Sequence, residues 1–245
     1  MATFQIGEGF AANMSTINYS VLFLGEETKA TRKQYVLDLG DGAIVDFRGG
    51  NFKYNKQGDL IGGSIEGYAA YLNGDSYGAV AGFDVSAKVF MKAASTIAQD
   101  DDFRLLTKIF SKNDRVSGND QDDTLLGFGG NDSLYGGSGA DNLSGGAGAD
   151  RFIFSSLEDS PFDGPDSGDT ITDFSKAQLD KIDLSGMGSY RFVGEGDFTG
   201  TMGEVVFFRL AGKTHVAVDD DGDSNADFIL LLQGEIALTE NEFIL

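Results

Sequence analysis

Between residues 114 and 153 an apolar position recurs every nine residues, at Val116, Leu125, Leu134, Leu143 and Phe152. An aspartate precedes each by two places: Asp114, Asp123, Asp132, Asp141 and Asp150. The full repeats are GNDQDDTLL (118–126), GFGGNDSLY (127–135), GGSGADNLS (136–144) and GGAGADRFI (145–153). Each reads as a glycine loop followed by a very short strand whose single shared apolar side chain points inward. Glycine takes positive φ at little steric cost, so a run of glycines forms a tight concave turn. Two repeats then complete one circuit of a flattened coil, and loops two repeats apart stack on the same edge. That stacking pairs Asp114 with Asp132, Asp123 with Asp141, and Asp132 with Asp150. A flexible Gly/Asp/Ser linker shares the composition. It has no reason to keep an apolar residue in phase with an aspartate through five periods. The first full repeat departs from the pattern, with Asn119 and Gln121 where glycine is usual. Gln adopts left-handed backbone poorly.

The same phase continues without the glycines at Asp169-Thr170-Ile171 and Asp180-Lys181-Ile182, with Asp173 and Asp183 nearby. These predict further turns of the coil. From residue 190 the segments YRFVG, EVVFFRL, THVAVD and FILLL predict ordinary antiparallel strands between glycine-rich turns. Residues 1–111 predict a separate α+β domain. Its segments at 34–39, 43–47, 51–55, 58–72 and 77–87 read as strands, with Asp41-Gly42 as a hairpin turn. Residues 11–24 fit either a helix or a strand. A helix over about 86–96 would bury Val89, Phe90 and Ala93. A second, over about 101–111, would be capped by Asp100 or Asp101 and would offer Phe103, Leu105, Leu106, Ile109 and Phe110 for burial.

Charge sharpens the picture. The formal net charge is −21, and it is uneven: residues 1–110 hold 10 Lys/Arg against 13 Asp/Glu, and residues 111–245 hold 8 against 26. Without counter-cations the second part would repel itself. The same field argues against nucleic acid and anionic lipid as partners. A concave run of backbone carbonyls joined by a carboxylate is an oxygen-only ligand set, which suits a hard cation and calcium above magnesium. The candidate ligands for several calcium ions are Asp114, Gly118, Asp120, Asp123, Gly127, Gly129, Asp132, Gly136, Gly137, Gly139, Asp141, Gly145, Gly146, Gly148, Asp150, Asp169 and Asp173. Stacked carboxylates need such ions between them, so metal binding and folding are expected to be inseparable. Asp219, Asp221 and Asp223 resemble a D-x-D-x-D loop and read as an acidic turn or a peripheral calcium site. There is no cysteine, hence no disulfide and no thiolate metal site. The segment MATFQIGEGF has neither the basic start nor the apolar core of a signal peptide, and no apolar run reaches membrane-spanning length.

The nonapeptides match the calcium-binding repeats-in-toxin (RTX) pattern. With GDTITDF (168–174), DKIDLS (180–185), FTGTMGEVVF (198–207) and ALTENEFIL (237–245), residues 112–245 resemble the C-terminal module of serralysin-type secreted metalloproteases. They are also similar to the R-modules of secreted mannuronan epimerases. The resemblance implies a parallel β-roll capped by antiparallel strands, several bound calcium ions (Ca2+), and export by a type I secretion apparatus. The uncleaved export signal would lie in the last few dozen residues, ending in Asn241-Glu242-Phe243-Ile244-Leu245. In residues 1–111, GGNFKYN (49–55), LIGGSIEGY (60–68) and GFDVSA (82–87) resemble the haemophore family, which places Tyr54 where those proteins keep a haem-ligating tyrosine.

Zinc-protease chemistry needs two histidines on one helix, and this chain has only His215, in a segment expected at a surface or edge. The expectation is therefore a secreted, extracellular, non-catalytic calcium-binding protein. Its N-terminal domain would bind surface polysaccharide, a further copy or another component of the cell surface or biofilm matrix. The alternatives are a haem or small-ligand carrier using Tyr54, and a polysaccharide-active enzyme.

Overall fold

A computed structural model describes residues 1–6, 14, 26–40, 43–57, 59–72, 75–94, 99–164 and 167–245. The fold is mainly β. Strands β1 (Thr3–Ile6), β2 (Glu26–Ala30), β3 (Gln34–Gly40), β4 (Ala43–Tyr54), β5 (Leu60–Leu72) and β6 (Asp75–Ser86) precede helices α1 (Ala87–Ala94) and α2 (Gln99–Ile109). The repeats then supply the three-residue strands β7 (Arg115–Ser117), β8 (Thr124–Leu126), β9 (Ser133–Tyr135), β10 (Asn142–Ser144) and β11 (Arg151–Ile153). Next come β12 (Asp169–Ile171), β13 (Lys181–Asp183), β14 (Arg191–Glu195), β15 (Glu204–Leu210), β16 (Lys213–Asp219), β17 (Phe228–Gln233) and β18 (Phe243–Ile244).

Successive repeat strands alternate between two sheets, as a coil of two repeats per turn requires. One sheet carries β7, β9, β11, β13 and β18, all parallel; the other carries β8, β10, β12 and β17, also parallel. Each strand is too short to bury more than one side chain inward. That side chain is wholly enclosed at Val116, Leu125, Leu134, Leu143, Phe152, Ile171 and Ile182. In register these form two apolar columns, Val116–Leu134–Phe152–Ile182–Phe243 and Leu125–Leu143–Ile171–Leu232. The antiparallel cap is β15–β16–β17, which joins the second sheet through β17. Strand β14 differs from the antiparallel expectation: it runs parallel to β15. The link over 196–203 carries the chain back to the same end, anchored by buried Glu204, which accepts from the Thr199 amide at 2.7 Å and pairs with Arg191 at 2.5 Å. His215 also departs from expectation, being buried in the middle strand of the cap and stacked on Phe208 at 4.8 Å.

The N-terminal strands form an antiparallel meander in which 43–47 and 51–55 fuse into the single strand β4, bent by register shifts around Asn51 (φ 53°). Strand β3 pairs with β4 with Gly40 opposite Ala43, and Asp41-Gly42, expected as the turn, lies outside the described residues. So do residues 11–24, Met14 excepted. Helix α1 buries Ala87, Phe90 and Ala93 but leaves Val89 exposed, because Val89 lies a third of a turn off that stripe. Helix α2 begins at Gln99, so Asp100 and Asp101 fall inside its first turn and do not cap it. It buries Leu105, Leu106, Ile109 and Phe110, whereas Phe103 is exposed. The meander continues directly into the roll, because β1 pairs antiparallel with β6 and parallel with β7. The result is one eleven-stranded sheet, and Phe4 extends the first apolar column by aligning with Val116. No helix among the described residues is long and apolar enough to cross a membrane.

Since each turn of the roll holds one apolar side chain per strand, Leu134→Ala should cost roughly 2–5 kcal/mol, read as a lowered urea midpoint in calcium-containing buffer. The exposed Leu179→Ala should stay within about 0.5 kcal/mol of the parent.

Candidate metal centre

The stacked aspartates are built by the repeat itself. The loop delivers Asp to the start of each short strand, and the parallel pairing sets it over the Asp two repeats away. One oxygen of each carboxylate then accepts the backbone amide of the earlier Asp. Asp132 Oδ1 accepts from Asp114 N (2.7 Å), Asp141 Oδ1 from Asp123 N (2.7 Å) and Asp150 Oδ1 from Asp132 N (2.8 Å). The ladders continue to Asp169 Oδ1, which accepts from Asp141 N (2.9 Å), and to Asp180 Oδ1, which accepts from Asp150 N (3.0 Å). At the other end Asp114 Oδ1 accepts from Ala2 N, so the backbone leading into β1 takes the place of a missing repeat. All of these carboxylates are buried.

The second oxygens have a different fate. Oδ2 of Asp114, Asp132, Asp141, Asp150 and Asp169 is buried with no hydrogen-bond partner among the described residues. Buried carboxylate oxygens are costly to leave unmatched. Glycines keep the space open beside three of them, those of Asp132, Asp141 and Asp150. A Cβ on Gly118, Gly127, Gly136 or Gly145 would collide with Oδ2 of the aspartate in its own loop. A Cβ on Gly137, Gly139, Gly146 or Gly148, all at positive φ, would strike the carbonyl of Asn119, Gln121, Phe128 or Gly130 in the loop one turn earlier. At Gly127 the same Cβ would also meet the Gly145 carbonyl at 2.5 Å, so carboxylate and carbonyl oxygens approach one space from stacked loops, a donor set that fits calcium.

Other predicted ligands are placed differently. Asp123 accepts from Asn119 N at 3.1 Å through Oδ2, so the departing first repeat satisfies its own carboxylate. Gly129 bridges to Ala147, and Asp120 is exposed, next to the Gln121 side chain. Asp173 accepts from Gly145 N (3.0 Å), Gly146 N (2.8 Å) and Ser144 Oγ (2.6 Å), capping the last glycine loop. Gln178 completes that cap, accepting from Gly148 N at 2.8 Å and donating to Gly146 O at 3.3 Å. Nothing periodic in the sequence marks Gln178; Asp180, by contrast, carries the Asp-x-apolar signal. In the acidic turn the carboxylates brought together are Asp219, Asp221 and Asp227, with one oxygen of each within 4.8 Å of the others. Asp223 instead accepts from Asn225 Nδ2 at 2.8 Å. Tyr54 donates its hydroxyl to Thr31 O at 2.6 Å and lays its ring 5.9 Å from that of Tyr35.

Residues 110–245, more than half of the chain, match the family described as peptidase M10 serralysin C terminal. The chain belongs to this family. The matched part of the serralysin C-terminal module runs from the end of α2 through the whole roll and its cap. The metalloprotease AprA of Pseudomonas entomophila (strain L48) is 40% identical over 98 residues, which cover 36% of this chain and 19% of AprA. The chain thus spans only a small part of that relative's length. Two subunits of the Azotobacter vinelandii mannuronan C5-epimerase, AlgE6R3 and AlgE6R2, have solution structures similar to it at 31% identity. They cover 55% and 53% of this chain and 78% and 91% of their own, with TM-scores of 0.39 and 0.32.

Metal-free, the ladder of this serralysin-type module resists ionisation. Burial, reinforced by neighbouring aspartates, raises Asp132 and Asp141 to about 7, Asp150 to about 6 and Asp169 to about 9, against the opposing pull of backbone amides. The folded form then holds protons that the unfolded chain has already released above the ordinary aspartate range, so raising the pH favours unfolding. In chelator the urea midpoint should therefore fall as pH rises from about 4 to 7, and calcium addition near neutrality should release protons. A chelated midpoint that climbs over that range would contradict this.

Proposed function

We propose that this chain is a secreted, non-catalytic protein folded by extracellular calcium. The observation that carries the reading is the set of buried, unmatched Oδ2 atoms of Asp114, Asp132, Asp141, Asp150 and Asp169, the middle three each beside a glycine that leaves its space open. Bound calcium would supply the positive charge that lets these carboxylates ionise together and would cross-link consecutive turns. The chain's part is to hold the cradle. The amide-to-Oδ1 bonds aim each carboxylate, the glycines admit the carbonyls, and the apolar columns keep the turns in register.

Sites with dissociation constants of roughly 10⁻⁴–10⁻³ M would be empty in a cytosol and filled outside a cell. Each site at ten times its constant contributes about 1.4 kcal/mol, so several together decide whether the roll folds. This suits passage of an unfolded chain through a type I secretion apparatus, the route implied by the serralysin resemblance, followed by folding in the extracellular medium. The match is to the C-terminal, not the proteolytic, portion of the family, which supports a non-catalytic role. The N-terminal sheet, fused to the roll through β1, would be the binding end, toward surface polysaccharide or further copies of the chain.

Circular dichroism in calcium and in EGTA tests the reading: most of the β signal should appear only with calcium, and an unchanged spectrum would sink it. Asp132→Asn keeps an oxygen to accept the Asp114 amide but removes the charge. It should lower the calcium stoichiometry by isothermal titration and raise the calcium concentration needed for folding several-fold.

A further inference from the structure

Phe128 is the second residue of its repeat, the place held by Gly137 and Gly146 in the next two, and it shares their left-handed backbone at φ 67°. A bulky side chain rarely adopts that conformation and keeps it only where its surroundings compensate. The compensation comes from helix α2. The Phe128 ring lies 5.3 Å from that of Phe103 and stacks on Phe110 at 6.1 Å with 17° between planes. Phe110 is fully buried and meets Phe4 of β1 edge-on at 6.4 Å. The main chain of Phe128 faces the other way, into the stacked loops. Its carbonyl accepts from Ala147 N at 3.0 Å and occupies the space a Cβ on Gly146 would need. One residue therefore has its backbone in the loop pair 127–132 and 145–150 and its side chain in the N-terminal unit.

We propose that Phe128 is a latch through which filling of that loop pair seats helix α2 and orders the N-terminal sheet. The proposal rests on the calcium reading above and adds to it a route from the roll to the binding end. With the cradle closed, the Phe128 backbone is held left-handed and its ring is presented to Phe103 and Phe110. With the cradle loosened, the backbone relaxes toward ordinary φ and the ring swings away from α2. The pairing of β1 with β7 transmits the same change to the sheet, because β1 is also the neighbour of β6. Linkage makes the coupling reciprocal: a docked α2 must tighten calcium binding by the factor with which calcium tightens docking.

Amide hydrogen exchange on the full chain, in calcium excess and in EGTA, tests this. Calcium should slow exchange in 133–153 and in 102–110 together. Phe128→Gly restores the residue type of the neighbouring repeats; it should preserve the slowing in 133–153 while speeding exchange in 102–110 by about tenfold. Phe103→Ala removes the exposed half of the contact without opening the core and should act in the same direction. If 102–110 are equally protected with and without calcium while 133–153 respond, or if both variants protect α2 as the parent does, the latch is wrong and the calcium reading stands. If 133–153 do not respond to calcium at all, the calcium reading fails and the latch goes with it.

Discussion

Every turn of the roll depends on how one carboxylate divides its two oxygens. Oδ1 accepts the amide of the aspartate one turn earlier and so ties the turns together. Oδ2 is left inside the fold with no partner among the described residues at five positions. The first bond specifies the stack, and the second oxygen penalises it for as long as it stays unmatched. A core of one apolar side chain per strand is too thin to absorb that penalty by burial alone. In the proposed reading folding and metal binding become one equilibrium, since the site that would hold the ion does not exist in the unfolded chain.

Non-repetitive parts of the chain close the first sheet of the roll at its start and both sheets at the finish. At the start, Ala2 just before β1 and Phe4 within it stand in for a repeat, giving an amide to Asp114 and a side chain to the apolar column. At the finish, Asp173 and Gln178 cap the last glycine loop with side-chain atoms, and β17 and β18 add the final rungs of the two sheets. Open stacks of parallel strands would otherwise expose unpaired edges that invite association. The same closure makes the N-terminal meander and the roll continuous, so order in one bears on order in the other.

The repeats were legible because their signal is local. Nine-residue spacing places one Asp and one apolar residue per strand, and the Asp114–Asp132, Asp123–Asp141 and Asp132–Asp150 stacks follow from two repeats per turn. The two extra rungs at Asp169 and Asp180 kept enough of the pattern to be seen. What escaped had no periodicity. Phe103 counted as apolar, hence core, yet it is exposed against Phe128. Val89 counted likewise, but a two-turn helix has only one buried stripe. His215 looked like an edge residue because the sequence does not say which strand of the cap is central. The order β15–β16–β17 places it there.

The sequence by itself determined the coil, its inward residues and its acidic edges. Each of these depends on residues within about two repeats of one another. Tertiary structure alone decided that β1 would join the N-terminal meander to the roll as a rung, that β14 would run parallel, and that Asp227 would join Asp219 and Asp221 in place of Asp223. Those outcomes turn on which distant backbone edge is free to accept a partner. Unpaired amides and carbonyls are the same in every residue, so nothing in the order of side chains reveals where they will be left over.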